Sequence, residues 1–209
     1  MTSRIPNIFN KNKSKNKKTF ISYLVCGDPS NDITLSAMHT MSKSGVDIIE
    51  LGIPFTDPIA DGPTIQKSID RSLKNNTSLH DVISVVKEFR KDNSDTAVVL
   101  MGYMNPVHKM GIAKFAKQIN DTGIDGVLIV DSPPEESVML NKYLTKYKKS
   151  HIYLASPTTT DQRMKNISKM SSGYVYYVTI KGITGSKLSN VNSIRTNVNK
   201  IKKYSNNSL

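Results

Sequence analysis

One cysteine in 209 residues excludes an internal disulfide and a thiolate metal cage, and it fits a reducing compartment. Long apolar runs are missing as well. The richest, `FISYLVC`, `VDIIELGIPF` and `GVLIVD`, fall well short of the roughly 20 residues that a membrane-spanning helix needs, so the expectation is a soluble chain with no membrane partner. Neither G-x-G-x-x-G nor G-x-x-x-x-G-K-[ST] occurs, which argues against dinucleotide and P-loop binding. Acidic residues are absent from both ends. All 17 lie between Asp28 and Asp161, among 14 basic residues, while 6 basic residues before that stretch and 9 after it stand unopposed and supply the net charge of +12. The N-terminal run `NKNKSKNKK` has no aromatic residue on which a base could stack, and it lacks the Arg richness and apolar segment of a transit peptide. Solvated basic ends are therefore favoured over a nucleic-acid arm.

What is present is a recurrence of short β-branched runs followed by helix-period segments. Strand candidates are Phe20 to Cys26, Val46 to Gly52, Ala97 to Met101, Gly126 to Asp131, His151 to Ala155 and Tyr174 to Ile180. Several are continuously apolar, as parallel strands buried on both faces are. Between them Val82, Val85, Val86 and Phe89, and again Ile112, Phe115, Ala116 and Ile119, follow the i, i+3, i+4, i+7 spacing of a helical stripe, and Gly45 and Gly123 stand where helices should stop. Strands alternating with helices predict an α/β fold with a parallel sheet. Strands two and three are twice as far apart as the others. The extra length holds the turn-rich `IPFTDPIADGP` and two helical segments, and a loop after a parallel strand lies on the functional face.

Glu50 is an ionisable group at the carboxyl end of an apolar strand. It reads either as a general acid/base whose pKa burial has raised, or as the partner of a nearby Lys or Arg. Asp61 follows in the same loop, so two carboxylates can converge over one pocket. Asp57 reads as a turn or interface residue. His39, His80, His108 and His151 show no ligand spacing, so a metal is disfavoured. Gly182, Thr184 and Gly185 either present backbone N–H groups to an anion or form an ordinary turn. Tyr176 and Tyr177 must point to opposite faces of their strand, and Cys26 reads as a small core residue.

The string `ELGIPFTDPIADGPTIQKS` closely resembles the signature of the tryptophan synthase alpha subunit family. `FISYLVCGDP`, `MGYMNPV`, `GIDGVLIVDSPPEES`, `SPTTTDQR` and `GYVYYVTIKGITG` follow in the family's order, and `RIPNIF` resembles its N-terminal helix, so that residues 1–18 read as a basic helix or arm on a single domain, 1–209. The resemblance implies a (β/α)₈ barrel that cleaves indole-3-glycerol phosphate to indole and glyceraldehyde 3-phosphate, without metal or cofactor, in the last steps of tryptophan biosynthesis. It implies that Glu50 is the general acid/base and Asp61 the partner of the indole nitrogen. Tyr23, Met101 and Leu128 would wall the indole pocket, and Tyr176 would stand near the reacting carbons. Thr184 and Gly185 would belong to a closing loop, with Gly185 beside the phosphate. The implied partner is the beta subunit, in an alpha-beta-beta-alpha tetramer. Pyridoxal phosphate would belong to that partner, which would face the loop containing Asp57 and the `MNPV` region. A cytoplasmic location follows, or the plastid stroma for an organelle-encoded chain.

Three departures from the family stand out. Thr56 replaces the usual Ser, and Ser132-Pro133-Pro134 alters a Leu-Pro loop. After `VNKIKKYSNNSL` the family continues into strands seven and eight and a phosphate-binding helix, so about six βα units are expected here. A fragment or frameshift, completion by another chain, or a degenerate homologue that only binds and activates the beta subunit would each account for this.

Overall fold

The computed structural model describes residues 3–179 and 191–204. Six parallel strands pair in chain order: β1 (Ile21–Val25), β2 (Ile48–Gly52), β3 (Ala97–Gly102), β4 (Gly126–Ile129), β5 (Ser150–Ala155) and β6 (Val175–Tyr177). All six expected strands exist; β1, β2, β4 and β6 are shorter than expected, while β3 and β5 are each one residue longer. β4 ends at Ile129, level with the last residue of β3, Gly102, and β6 ends at Tyr177, level with the last residue of β5, Ala155. Ile180, the predicted end of the sixth strand, lies outside the described residues.

Helix α1 (Ile5–Ser14) precedes the sheet, and α2 (Asn31–Lys43) follows β1. The long connection after β2 carries α3 (Pro63–Lys74) and α4 (Leu79–Asp92), the two helical segments expected there. After β3 come α5 (Met104–Met110) and α6 (Ile112–Thr122), then α7 (Val138–Lys146) after β4, α8 (Asp161–Met170) after β5 and α9 (Val191–Tyr204). The short α5 was not anticipated. Its first turn is held by Asp131, whose Oδ1 accepts from the Met104 N–H at 2.8 Å. Local chemistry sets the other ends: Ser30 caps α2 by accepting from the Ile33 N–H, Pro63 opens α3, and Gly123 closes α6 in the left-handed region at φ +78°.

Alternation along the strands makes two apolar layers. Ile49, Leu51, Val98, Leu100, Val127 and Ile129 face outward against the stripes of α4 and α6, which contribute Val82, Val85, Val86, Phe89, Phe115 and Ile119. Ile48, Ala97, Val99, Leu128, Ile152 and Tyr174 face inward and meet Ile5, Ile8 and Phe9 of α1, which floors the interior. Cys26 is fully buried in the outer layer, as expected for a core residue, and burial pushes its thiol up to about 12.

A buried charge cluster ties the floor to the barrel wall. Asp125 accepts from the Arg4 N–H at 2.8 Å, Arg4 Nη1 at 3.0 Å, Arg90 Nη2 at 2.8 Å and the Val98 N–H at 2.9 Å. Its carboxylate has no exposed surface, so this ion pair replaces water entirely.

Candidate active site

The parallel register aligns Tyr23, Glu50, Val99, Gly126 and Ser150 at one level of the inner face. Gly126 contributes no side chain, and a Cβ there would come within 2.9 Å of Ile152. One step higher stand Gly52, Met101 and Leu128. Leu128 is fully buried in the interior cluster and Met101 packs against it, partly buried.

Glu50 is 4% exposed. No Lys or Arg pairs with it among the described residues. Its partner is a phenol: Tyr174 donates to Glu50 Oε1 at 2.5 Å. Among the described residues the ion-pair alternative is not realised. Burial raises its pKa, and the Tyr174 hydrogen bond, which favours the charged form, works against that rise.

Asp61 sits on the loop between β2 and α3. Tyr103, just beyond β3, donates to Asp61 Oδ2 at 2.7 Å and accepts from the Ala60 N–H at 3.0 Å, while Gln66 Nε2 donates to the Asp61 carbonyl at 2.8 Å. The Phe55 ring packs on Tyr103 at 5.3 Å. The loop is therefore held from β3 on one side and from α3 on the other. Burial again raises the carboxylate, and again a phenol opposes it.

The phenols of Tyr23 and Tyr176 are each pushed upward, first by burial and further by the charges of Glu50 and Asp61. Tyr23 lies over Gly52, where a Cβ would stand 2.3 Å from its hydroxyl. Tyr176 joins the interior cluster and Tyr177 the cluster around α8 and α9, which is the opposite-face placement that strand alternation requires.

Thr184 and Gly185 lie outside the described residues, as does Gly182. Asp57 lies in a turn, its carbonyl accepting from the Ile59 N–H at 2.9 Å and its carboxylate from Thr56 Oγ1 at 2.6 Å. His39 stacks on Phe89 at 4.9 Å, away from the strand ends. His151 faces outward beside Tyr153, and burial lowers its imidazole to about 3. The unusual Ser132-Pro133-Pro134 stretch borders a cavity of about 200 Å³ with Val130, Leu154 and Arg163, next to the interior. Among the described residues, no group of three His, Cys, Asp or Glu side chains stands close enough to hold a metal ion.

Two residues at this site escaped sequence reasoning. Tyr174 lies two positions before Tyr176, so the same alternation brings both inward. Tyr103 stood inside the quoted `MGYMNPV`, directly after a strand on the functional face.

Comparison with known proteins follows this geometry. The family model described as tryptophan synthase alpha chain matches residues 9–209. The tryptophan synthase alpha chain of Marinobacter nauticus is 50% identical over 196 residues, which is 94% of this chain and 73% of that protein. The crystal structure of tryptophan synthase subunit alpha from Legionella pneumophila superposes with a TM-score of 0.91 at 38% identity, covering 99% of this chain and 76% of that one. A structure of the mutually activating tryptophan synthase α2β2 complex of the hyperthermophile Pyrococcus furiosus matches with a TM-score of 0.83 at 37% identity, covering 90% and 75%. The chain thus spans about three quarters of these relatives, and the six-stranded curl it forms is the TIM-barrel architecture they share.

Proposed function

The chain belongs to the tryptophan synthase alpha chain family, and on that premise we propose that it cleaves indole-3-glycerol phosphate with Glu50 as general acid/base and Asp61 as the anchor of the indole N–H. The observation that carries this reading is that Glu50, buried on β2, and the partly buried Asp61 on the loop that follows are each hydrogen-bonded by a single phenol.

The reaction is a retro-aldol cleavage. A proton is first delivered to indole C3, giving the 3H-indole tautomer whose C=N bond can accept electrons. The hydroxyl on the carbon attached to C3 then gives up its proton, its oxygen becomes the carbonyl of glyceraldehyde 3-phosphate, and the C–C bonding electrons move into the ring as indole leaves with its N–H restored. One proton is taken and one is delivered, so a single group at the junction of the two carbons serves both steps. Glu50 suits this because burial brings its two protonation states closer together near neutral pH, while Tyr174 limits the rise. Asp61 on the ring nitrogen favours the tautomer that protonates at C3. Each proton-transfer role is worth about 10²–10⁴ in rate.

Met101, Leu128, Tyr23 and Tyr176 supply an apolar, aromatic wall suited to a bicyclic ring. The Thr184–Gly185 segment is assigned to the substrate's phosphate side by family resemblance. The product indole passes to a beta-chain partner, where the pyridoxal phosphate chemistry resides. Ile59, 82% exposed in the loop with Asp57, is an apolar contact suited to that partner.

The test is direct: incubate the chain with indole-3-glycerol phosphate, with and without a purified beta chain, and follow indole and glyceraldehyde 3-phosphate. Equimolar products, lost in Asp61→Asn, support the reading. Full activity in Asp61→Asn would remove Asp61 from it.

A further inference from the structure

The `RIPNIF` segment does more than close the barrel floor. Ser3 is bound at Ser150 Oγ, 3.0 Å, and its N–H donates to the Lys148 carbonyl at 3.1 Å. Arg4 is held on Asp125 through both its backbone N–H and its guanidinium, which also donates to the Gly123 carbonyl at 3.2 Å. With its first turn locked in this way, α1 presents Ile5 and Phe9 upward. Gly173, at φ +99°, passes so close that a Cβ there would stand 3.2 Å from Ile5. The next residue, Tyr174, lies with its ring 5.9 Å from that of Phe9, the planes tilted by 48°. Its hydroxyl then reaches Glu50. Helix α1 thus joins two sets of contacts: Arg4 on Asp125 at its start, and Phe9 against Tyr174, whose hydroxyl reaches the Glu50 carboxylate.

We propose that α1 is a positioning element of the reaction, in which Phe9, seated by the Arg4–Asp125 lock, fixes the Tyr174 ring and through its hydroxyl the Glu50 carboxylate. The inference rests on the reading of Glu50 as the acid/base. A phenol turns on two torsions, and the Phe9 ring is what stops Tyr174 from dropping toward the floor. Among the described residues, the titratable groups around Glu50 are the phenols of Tyr174, just before β6, of Tyr176 on β6 and of Tyr23 on β1, with Asp61 beyond them. α1, β3, β4 and β5 turn only uncharged side chains inward. Loosening Tyr174 therefore acts on Glu50 in one direction. It weakens the one bond that favours the charged form and lets burial raise the carboxylate further.

The experiment compares kcat/KM against pH for the unmodified chain, Phe9→Ala, Phe9→Leu, Tyr174→Phe and the double variant Phe9→Ala/Tyr174→Phe. The limb governed by Glu50 moves up in Tyr174→Phe. It moves up by about half a unit to one unit in Phe9→Ala, a threefold to tenfold change in the protonation equilibrium. Phe9→Leu, which keeps apolar bulk and the fold, falls between. The double variant moves the limb no further than Tyr174→Phe alone. A loss of rate or thermal stability in the Phe9 variants with the limb unmoved, or a double variant in which the shifts add, would overturn the proposal. Carboxyl carbon NMR of Glu50, assigned by its loss in Glu50→Gln, reads the same shift without substrate. A chain that releases no indole would thus refute the enzymatic reading, while the carboxyl titration still decides whether Phe9 positions Glu50.

Discussion

Gly52→Ala probes the pocket wall through a single methyl group. A Cβ at position 52 would stand 2.3 Å from the Tyr23 hydroxyl, 2.8 Å from Cζ and 3.1 Å from Cε2. Ordinary contact begins near about 3.5 Å, so the phenol must move by about 1 Å, and strand β2 gives it nowhere to go but into the pocket. The backbone tolerates alanine here, because Gly52 does not occupy the left-handed region. Overpacking of this kind costs about 1–3 kcal/mol, or a fall in Tm of about 2–12 °C for a domain of this size. The larger effect is on activity, since a misplacement of about 1 Å can cost about 10²-fold in rate. Steady-state indole release, with a thermal melt alongside, separates the two. Tyr23→Phe in the Gly52→Ala background removes the 2.3 Å contact but leaves Cζ at 2.8 Å, so it should restore only part of the lost kcat/KM. Unchanged kcat/KM and Tm in Gly52→Ala would refute the placement of Tyr23 across Gly52.

Three other expectations follow from the same geometry. Asp125→Ala strands Arg4 and Arg90 beside a dry site and should cost about 3–5 kcal/mol of stability in a chemical denaturation curve; a loss below about 1 kcal/mol would show that the cluster is solvated. Tyr103→Phe frees the Asp61 carboxylate and the Ala60 N–H, so indole release should fall while Tm changes little, and an unaltered KM and kcat would remove Tyr103 from the site. Glu50→Gln bears on pH and stability. The folded carboxyl lies above its unfolded value, so the folded state binds more protons between the two, and Glu50 costs stability once pH rises through that window. Glu50→Gln should therefore be at least as stable as the unmodified chain at pH 8, with that advantage gone at pH 4; the reverse order would contradict the burial of Glu50.

The fold was legible because buried parallel strands write themselves as continuous apolar runs, and because α4 and α6 carry unambiguous helical stripes. Glu50 was legible for a related reason: an acid ending such a run has no packing role. Its partner was not, since Tyr174 is 124 residues away and only the curl of the sheet brings the two together. The Asp125 cluster was hidden in the same way, with Arg4 at a separation of 121 residues. The strand end was overestimated at β4, where the apolar run continues past Ile129 but β3 stops at Gly102. Tyr103 was passed over because a tyrosine opening a loop looks like any other until Asp61 is seen to fold back over it.

The central claim is that Glu50 moves the proton, and the rate of indole release from indole-3-glycerol phosphate by Glu50→Gln tests it most directly. Glutamine keeps the shape and still accepts from Tyr174, but it cannot take or give a proton. A fall of about 10²–10⁴ in kcat with the fold intact is the expected result. Glu50→Gln turning over as fast as the unmodified chain would contradict the account.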